Sequence, residues 1–295
     1  MTPLDSRTIG GEEPTPGGAA RAPGRRRTSW LLTGCLLLAV LLFTYPFAWM
    51  LTGWFKSNRE MFMPGQFWPA SLDWSGVSRL LGGEWFPFWR VWFNSLWLAL
   101  WQAAGAVALS SLAGYVFGRH EFRGKRVLFM LSVVAIVIPA QAMVIPLFSW
   151  IHGLRLTNHL AGVALPGMVS GLGIIYFTQV FRQMPSALLD AARVEGANEW
   201  RVYGSLLPLA RPALVSFGLI HFILAWHQHL LPLLILGNAE QQTLPVALSA
   251  LYSSSLRFPY AALMVGSTFA VLPTAVLFAF LYRKLQTSLS ELLPH

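Results

Sequence analysis

The polar side chains able to do chemistry are few in this sequence, and their densest group is AWHQHLLP at residues 225–232. His227, Gln228 and His229 are consecutive, and His221 precedes them by one to two helical turns. Imidazole nitrogens are common zinc ligands. Residues at i and i+2 do not face each other on a helix, so this spacing argues against a metal site. For the same reason the three consecutive residues cannot share one face, and at least one is predicted to meet a partner subunit or an aqueous path.

Single amide side chains also interrupt long apolar stretches, at Asn94, Gln102, Gln141 and Gln179. An interhelical hydrogen bond explains a lone amide most simply. The candidates for lining a solute pathway are Asn94, Gln141, Trp226, His227 and Gln228. No Asp or Glu lies in these stretches, which argues against a carrier that couples transport to protons or sodium through an intramembrane carboxylate.

The sequence contains no motif for nucleotide hydrolysis. A phosphate-binding loop reads G-x-x-x-x-G-K-[ST]. The stretch FRGKR at 122–126 contains Gly-Lys, but Arg119 and Arg126 stand where the first Gly and the final Ser or Thr are required. H-E-x-x-H and G-x-S-x-G are also missing from the sequence. We therefore expect a protein that is not an enzyme, with no ATPase site and no bound cofactor of its own.

The elements that carry these residues are six stretches without Asp, Glu, Lys or Arg, each 25 to 28 residues long. About 20 apolar residues suffice for a helix to cross a bilayer. Only 11% of residues are charged and 55% are hydrophobic, which excludes an ordinary soluble domain. We predict an all-α membrane protein whose transmembrane domain, 29–285, has six spans. They are expected at about 30–53, 91–117, 127–150, 160–181, 213–236 and 260–282.

The distribution of basic residues predicts the orientation. With both termini in the cytoplasm, fifteen Lys and Arg fall on the cytoplasmic side and six on the outer side. The net charge of +9 then reflects membrane topology and not nucleic-acid binding. Residues 1–28 are predicted to be a disordered basic tail, and 286–295 a short cytoplasmic tail. The first span lacks a cleavage site and is expected to be a retained anchor, and the single Cys35 excludes an internal disulfide.

A polar segment, DAARVEGANEWRVYGSLLPLARPAL at 190–214, lies between the fourth and fifth predicted spans. Local signals predict a helix over 187–195 capped by Ser186, a left-handed Gly196, and a second helix capped by Asn198. Pro208 and Pro212 are expected to mark the way into the fifth span. On these features the first helix either rests on lipid headgroups or docks another protein, which the small Ala191 and Ala192 would let approach closely.

This segment resembles the cytoplasmic loop of binding-protein-dependent ABC-transporter permeases, whose pattern is Glu-Ala-Ala, three residues, Gly, and later Leu-Pro. Asp190 replaces the Glu, while Ala191, Ala192, Gly196 and Leu207-Pro208 match. The similarity to the carbohydrate subfamily extends in order over about 30–285. Its other stretches are NSLWLAL at 94–100, AGYVFGRHEFRGKRVLF at 113–129, IPLF at 145–148 and TLPVAL at 243–248. PFWRVWFNS at 87–95 and WHQHLLPLLIL at 226–236 resemble the sugar-phosphate branch more loosely.

The resemblance implies half of an importer in the bacterial inner membrane for a carbohydrate, which would be a sugar, an oligosaccharide or a sugar phosphate. A second permease subunit would complete the channel, and two cytoplasmic ATPase subunits would use the ATP. The 190–208 loop would form a coupling helix in a cleft of one ATPase subunit. Its coupling residues would be Asp190, Ala191, Ala192, Arg193, Glu195, Gly196 and Pro208, with Asp190 and Arg193 pairing with the partner's charges. Glu195 would pair likewise or remain solvated.

Two points stay open in the sequence. The loops at 53–88 and 240–258 either receive an extracytoplasmic solute-binding protein or are simple folded connections with interfacial aromatics. The alternative function is a self-contained secondary carrier for a small polar solute. The end of the chain, RKLQTSLSELLPH, departs from the Arg-rich or Gly-Leu-Thr-Gly-like tail of many sugar permeases, which argues against a tail-mediated ATPase contact.

Overall fold

The computed structural model describes the backbone of residues 24–254 and 259–292 and the side chains of 30–253 and 259–281. Most of the predicted N-terminal tail and the last residues of the C-terminal tail therefore lie outside the described residues. Twelve α-helices and no strand occur in the described part. The helices are α1 Gly24–Thr52, α2 Ser75–Leu81, α3 Phe88–Arg119, α4 Lys125–Val137, α5 Val144–Gly153, α6 Leu160–Gly167, α7 Gly171–Gln183, α8 Ser186–Val194, α9 Glu199–Trp226, α10 Leu230–Ile235, α11 Leu244–Ser254 and α12 Tyr260–Leu292.

Four of the described helices are long and apolar enough to cross a membrane alone, and two bent pairs bring the number to six. The four are in α1, α3, α9 and α12, and the pairs are α4 with the 140–153 segment and α6 with α7. The predicted all-α membrane fold is confirmed. Among the described residues, 24–48 form one compact unit, and those from Trp49 onward form a second.

The third predicted span, 127–150, is not one helix. It bends by 102° between α4 and a short 3-10 helix, Ala140–Met143, that leads into α5. Pro139 explains the break, because its ring disfavours helical backbone at the preceding residue. Ile138 is accordingly extended, with ψ of 119°. The break exposes backbone polar groups, which inside a membrane must face protein or water.

The fourth and fifth spans also differ from the prediction. The first half of the fourth, α6, ends at Gly167, and the two halves bend by 42°. Ser170 caps α7, its hydroxyl accepting from the Gly173 N–H at 3.1 Å. The fifth, predicted at 213–236, is α9 from Glu199 to Trp226, and a break at 227–229 separates it from α10. Pro208 and Pro212 lie inside α9 instead of marking its entry.

Helix α3 is the centre of the second unit and packs along both α7 and α9. Gly114 lets α3 and α7 approach, since a Cβ there would lie 2.4 Å from the Cβ of Phe177. A core cluster at the Arg119 end of α3 joins side chains of α3, α7, α8 and α9. Its buried members are Ala106, Tyr115, Phe177, Phe181, Leu189, Val202, Leu206, Ala210 and Phe217. This burial explains why α9 continues through two prolines, since tertiary packing overrides local preference.

Candidate functional site

The polar segment after α7 folds as helix, turn and helix, largely as its local signals predict. Gly196 adopts φ of +79°, which confirms the left-handed position, and its N–H donates to the Arg193 carbonyl at 3.0 Å. Asn198 caps α9, its side chain accepting from the Arg201 N–H at 2.9 Å, also as predicted. Ser186, however, is the first residue of α8 and not its cap, and Pro185 precedes it. These contacts fix the turn between α8 and α9.

Helix α8 has an inner and an outer face. Leu189 is only 3% exposed and belongs to the core cluster, against which Ala192 also packs. Ala191 lies on the outer face, and Val194 is 89% exposed there. The expectation that Ala191 and Ala192 form one small docking face is therefore wrong, because they point to different sides of the helix. Sequence reasoning also missed Val194, although an apolar residue on a second face of a short helix was a visible signal.

The charged residues of the segment also differ in whether they contact the rest of the chain. Arg193 was expected to pair with a partner, but its guanidinium donates to Oε1 of Glu199 at 3.1 Å within the chain. Asp190 and Glu195 are exposed and form no ion pair among the residues whose side chains are described. The outer face of α8 thus presents two carboxylates beside Ala191 and Val194. Pro208 lies farther along, on an exposed side of α9.

Three of the predicted pathway residues line one cavity of about 490 Å³, which lies where two helix breaks meet. Gln141 comes from the break after α4, and His227, Gln228 and His229 come from the break after α9. Gln228 is held in place because its Oε1 accepts from Gln102 Nε2 at 3.1 Å. The lining contains no Asp, Glu, Lys or Arg.

The other two predicted pathway residues have structural contacts instead. Trp226 is buried, and its indole N–H donates to the Ala270 carbonyl at 2.7 Å. Asn94 donates to the carbonyls of Glu240 and Gln242 at 2.9 and 3.1 Å, which ties α3 to the segment before α11. Neither side chain lines the cavity. In the sequence nothing distinguished these two from the cavity residues, because the distinction depends on where other helices pass.

His221 and His227 form hydrogen bonds with different backbone carbonyls. His221 Nε2 donates to the Gly167 carbonyl at 2.8 Å, and His227 Nδ1 donates to the Ile223 carbonyl of its own helix at 2.8 Å. Among the side chains described, those of 30–253 and 259–281, no three His, Cys, Asp or Glu are grouped to hold a metal ion.

Comparison with known proteins places these features in a family. Residues 110–291 match the family described as binding-protein-dependent transport system inner membrane component. The chain belongs to this family. It is 31% identical to the arabinooligosaccharides transport system permease protein AraQ of Bacillus subtilis (strain 168), over 84% of this chain and 89% of AraQ.

Two further comparisons extend over most of this permease. It is 28% identical to the lactose transport system permease protein LacG of Rhizobium radiobacter, over 84% of this chain and 90% of LacG. A chain of a bacterial ABC transporter involved in the import of the acidic polysaccharide alginate shares its fold, with a TM-score of 0.78 at 18% identity. The match covers 89% of this chain and 98% of that one. These findings support the ABC-permease prediction and not the self-contained carrier.

The loop between α1 and α3 of this permease is folded. Lys56 is 1% exposed, and its ammonium donates to the Gln66 carbonyl at 2.7 Å and lies 3.6 Å from the centroid of the Trp49 ring. Burial lowers the pKa of Lys56, while the nearby Glu60 opposes this shift. Hydrogen bonds from the backbone N–H groups of Ser57 and Ala70 lower the pKa of Glu60. The loop therefore presents a fixed surface at the Phe88 end of α3.

Proposed function

We propose that this permease forms half of the translocation pathway of an ATP-driven importer for a neutral carbohydrate. The observation that carries the proposal is the outer face of α8, which is apolar at Ala191 and Val194 although it belongs to a short helix in a polar segment. An exposed apolar patch rimmed by charges is typical of a protein interface. The named transport systems of two relatives, for arabinooligosaccharides and lactose, support a carbohydrate cargo, whereas a third relative is named for sn-glycerol-3-phosphate.

The outer face of α8 is the docking site for a cytoplasmic ATPase subunit. The importer would contain two such subunits, which use the ATP, and a second permease. Asp190 and Glu195 would face the partner, while Gly196 holds the turn and Pro208 continues α9 from the docking site into the membrane. The distribution of Lys and Arg supports a cytoplasmic position for this loop and for both termini. Closure of the ATPase pair would move α8 and tilt the spans, which gives alternating access.

The cavity at the two helix breaks is the part of the solute pathway that this subunit supplies. Gln141, Gln228 and the imidazoles offer both donors and acceptors, which suit hydroxyl groups. No Asp, Glu, Lys or Arg lines it, which favours a neutral sugar over a sugar phosphate. At the opposite end, the folded 53–88 loop would receive the solute-binding protein that delivers the sugar.

Reconstitution in liposomes tests the proposed function. The complete importer, with binding protein outside and ATP at the ATPase subunits, is expected to accumulate a neutral oligosaccharide without any ion gradient. Arabinooligosaccharide, lactose and sn-glycerol-3-phosphate form the panel, and the phosphate ester is expected to give only background uptake. A non-hydrolysable ATP analogue is the control and should support no accumulation. Uptake by this chain alone, driven by a proton or sodium gradient, would contradict the proposal.

A further inference from the structure

We propose that Glu199 is a positioning residue that locks α8 to α3 and α9, so that the three helices move together. Three other side chains contact its carboxylate. Oε1 accepts from Arg193 of α8 at 3.1 Å. Oε2 accepts from the Tyr115 hydroxyl of α3 at 2.6 Å and lies 3.2 Å from Nε2 of His120, the residue after α3. Glu199 itself is the first residue of α9.

The lock is needed because α8 has few other attachments. Leu189 is its single buried residue. The turn after it pivots at Gly196, where a Cβ would meet no atom within 4 Å. The Glu199 contacts add side-chain links from α8 to α3 and α9, which oppose a change in the angle of α8.

The same end of α3 also holds the segment that precedes α8. Arg119 donates to the carbonyl of Met184, two residues before α8 begins. A hydrogen bond of 2.8 Å between Ser111 and Tyr203 joins α3 to α9 beyond the carboxylate. The α8 loop is therefore clamped to α3 on both sides, by Met184 before it and by Glu199 after it. A displacement of α8 would reach α3 and α9 directly.

Such contacts contribute little to folding stability, because the Arg193 and Glu199 side chains are 42% and 52% exposed. Their effect is instead on the angle at which α8 meets the spans. The Arg193 pair also explains the division of charge on α8. The Arg193 guanidinium pairs with Glu199 within the chain, whereas the carboxylates of Asp190 and Glu195 remain available to a partner.

This inference rests on the proposed function and is tested in the assembled importer with Glu199→Gln. We expect normal assembly and ATP hydrolysis, while the solute moved per ATP hydrolysed falls roughly two- to thirtyfold, the range of coupling effects for such networks. Tyr115→Phe should lower the ratio less, and adding it to Glu199→Gln should cause no further loss, since both act through one carboxylate. The matched control is Glu121→Gln, which removes a carboxylate that is exposed and pairs with Lys125.

The possible outcomes distinguish a failure of the positioning role from a failure of the proposed importer function. If the unmodified importer shows no ATP-driven uptake, the proposed function fails. If it transports and Glu199→Gln leaves the solute-to-ATP ratio unchanged, the positioning role is wrong and the function stands. If Glu199→Gln prevents assembly, Tyr115→Phe decides: a lowered ratio supports the lock, and an unchanged ratio overturns it. A loss of ratio in Glu121→Gln as large as in Glu199→Gln would also overturn it.

Discussion

Replacing Gly196 with proline is expected to reduce transport to background while the permease still inserts in the membrane. Proline fixes φ near −65°, whereas Gly196 adopts +79°, and the change also removes the N–H that donates to Arg193. The turn between α8 and α9 must then rearrange, at a cost of about 3 kcal/mol or more. Because α8 depends on this turn for its direction, it can no longer present its outer face to the ATPase. ATP-dependent uptake in cells, normalised to the membrane content of the protein, measures the effect.

Gly196→Asn is the matched control for this turn. Asparagine tolerates left-handed backbone better than most residues, and a Cβ at this position meets no atom within 4 Å. We expect this variant to retain most of the uptake. Normal uptake in Gly196→Pro would contradict the role of the turn. Equal loss in both variants would show that the missing side chain, and not the backbone conformation, is what the position requires.

Ala191→Trp is expected to prevent binding of the ATPase subunits and to abolish transport. The side chain at 191 is exposed on the outer face of α8, so a large ring can be accommodated in the isolated permease. It would instead occupy the space that a closely docked partner needs. Disruption of such a central contact costs at least about 3 kcal/mol, or roughly a hundredfold in affinity. Co-purification of the ATPase with tagged permease measures the loss.

The neighbouring Ala192 provides the comparison that distinguishes docking from folding. Ala192 packs against the core cluster, so Ala192→Trp should lower the unfolding temperature of the permease in detergent. Ala191→Trp should leave that temperature unchanged. The proposed docking face is wrong if Ala191→Trp binds the ATPase as tightly as the unmodified chain. It is also wrong if both variants lose binding only in proportion to their loss of stability.

Features set by neighbouring residues could be predicted from the sequence. Gly196 and Asn198 have the expected conformations because a left-handed turn and a helix cap each depend on a few adjacent residues. Apolar length likewise predicted an all-α membrane fold, since a helix needs about 20 mainly apolar residues to cross a bilayer. The bend at Pro139 was not predicted, although its cause is local, because a long apolar stretch alone does not show where a helix breaks.

Features set by distant residues could not be predicted. Arg193 pairs with Glu199 and not with a partner because of how α8 folds back on α9. Trp226 and Asn94 make structural hydrogen bonds because α12 and the segment before α11 pass beside them. In each case the chemistry of the side chain was recognised correctly, but its partner lies in a part of the chain that no local pattern specifies.

Labelling at position 191 tests the central claim most directly. In a Cys35→Ser background, which removes the only native cysteine, Ala191→Cys places one thiol on the outer face of α8. Glu121→Cys, also exposed, is the control. We predict that an impermeant maleimide reaches Cys at 191 only from the cytoplasmic side, and that bound ATPase subunits protect it while the control stays reactive. Labelling from outside intact cells, or equal labelling with and without the ATPase subunits, would contradict the account.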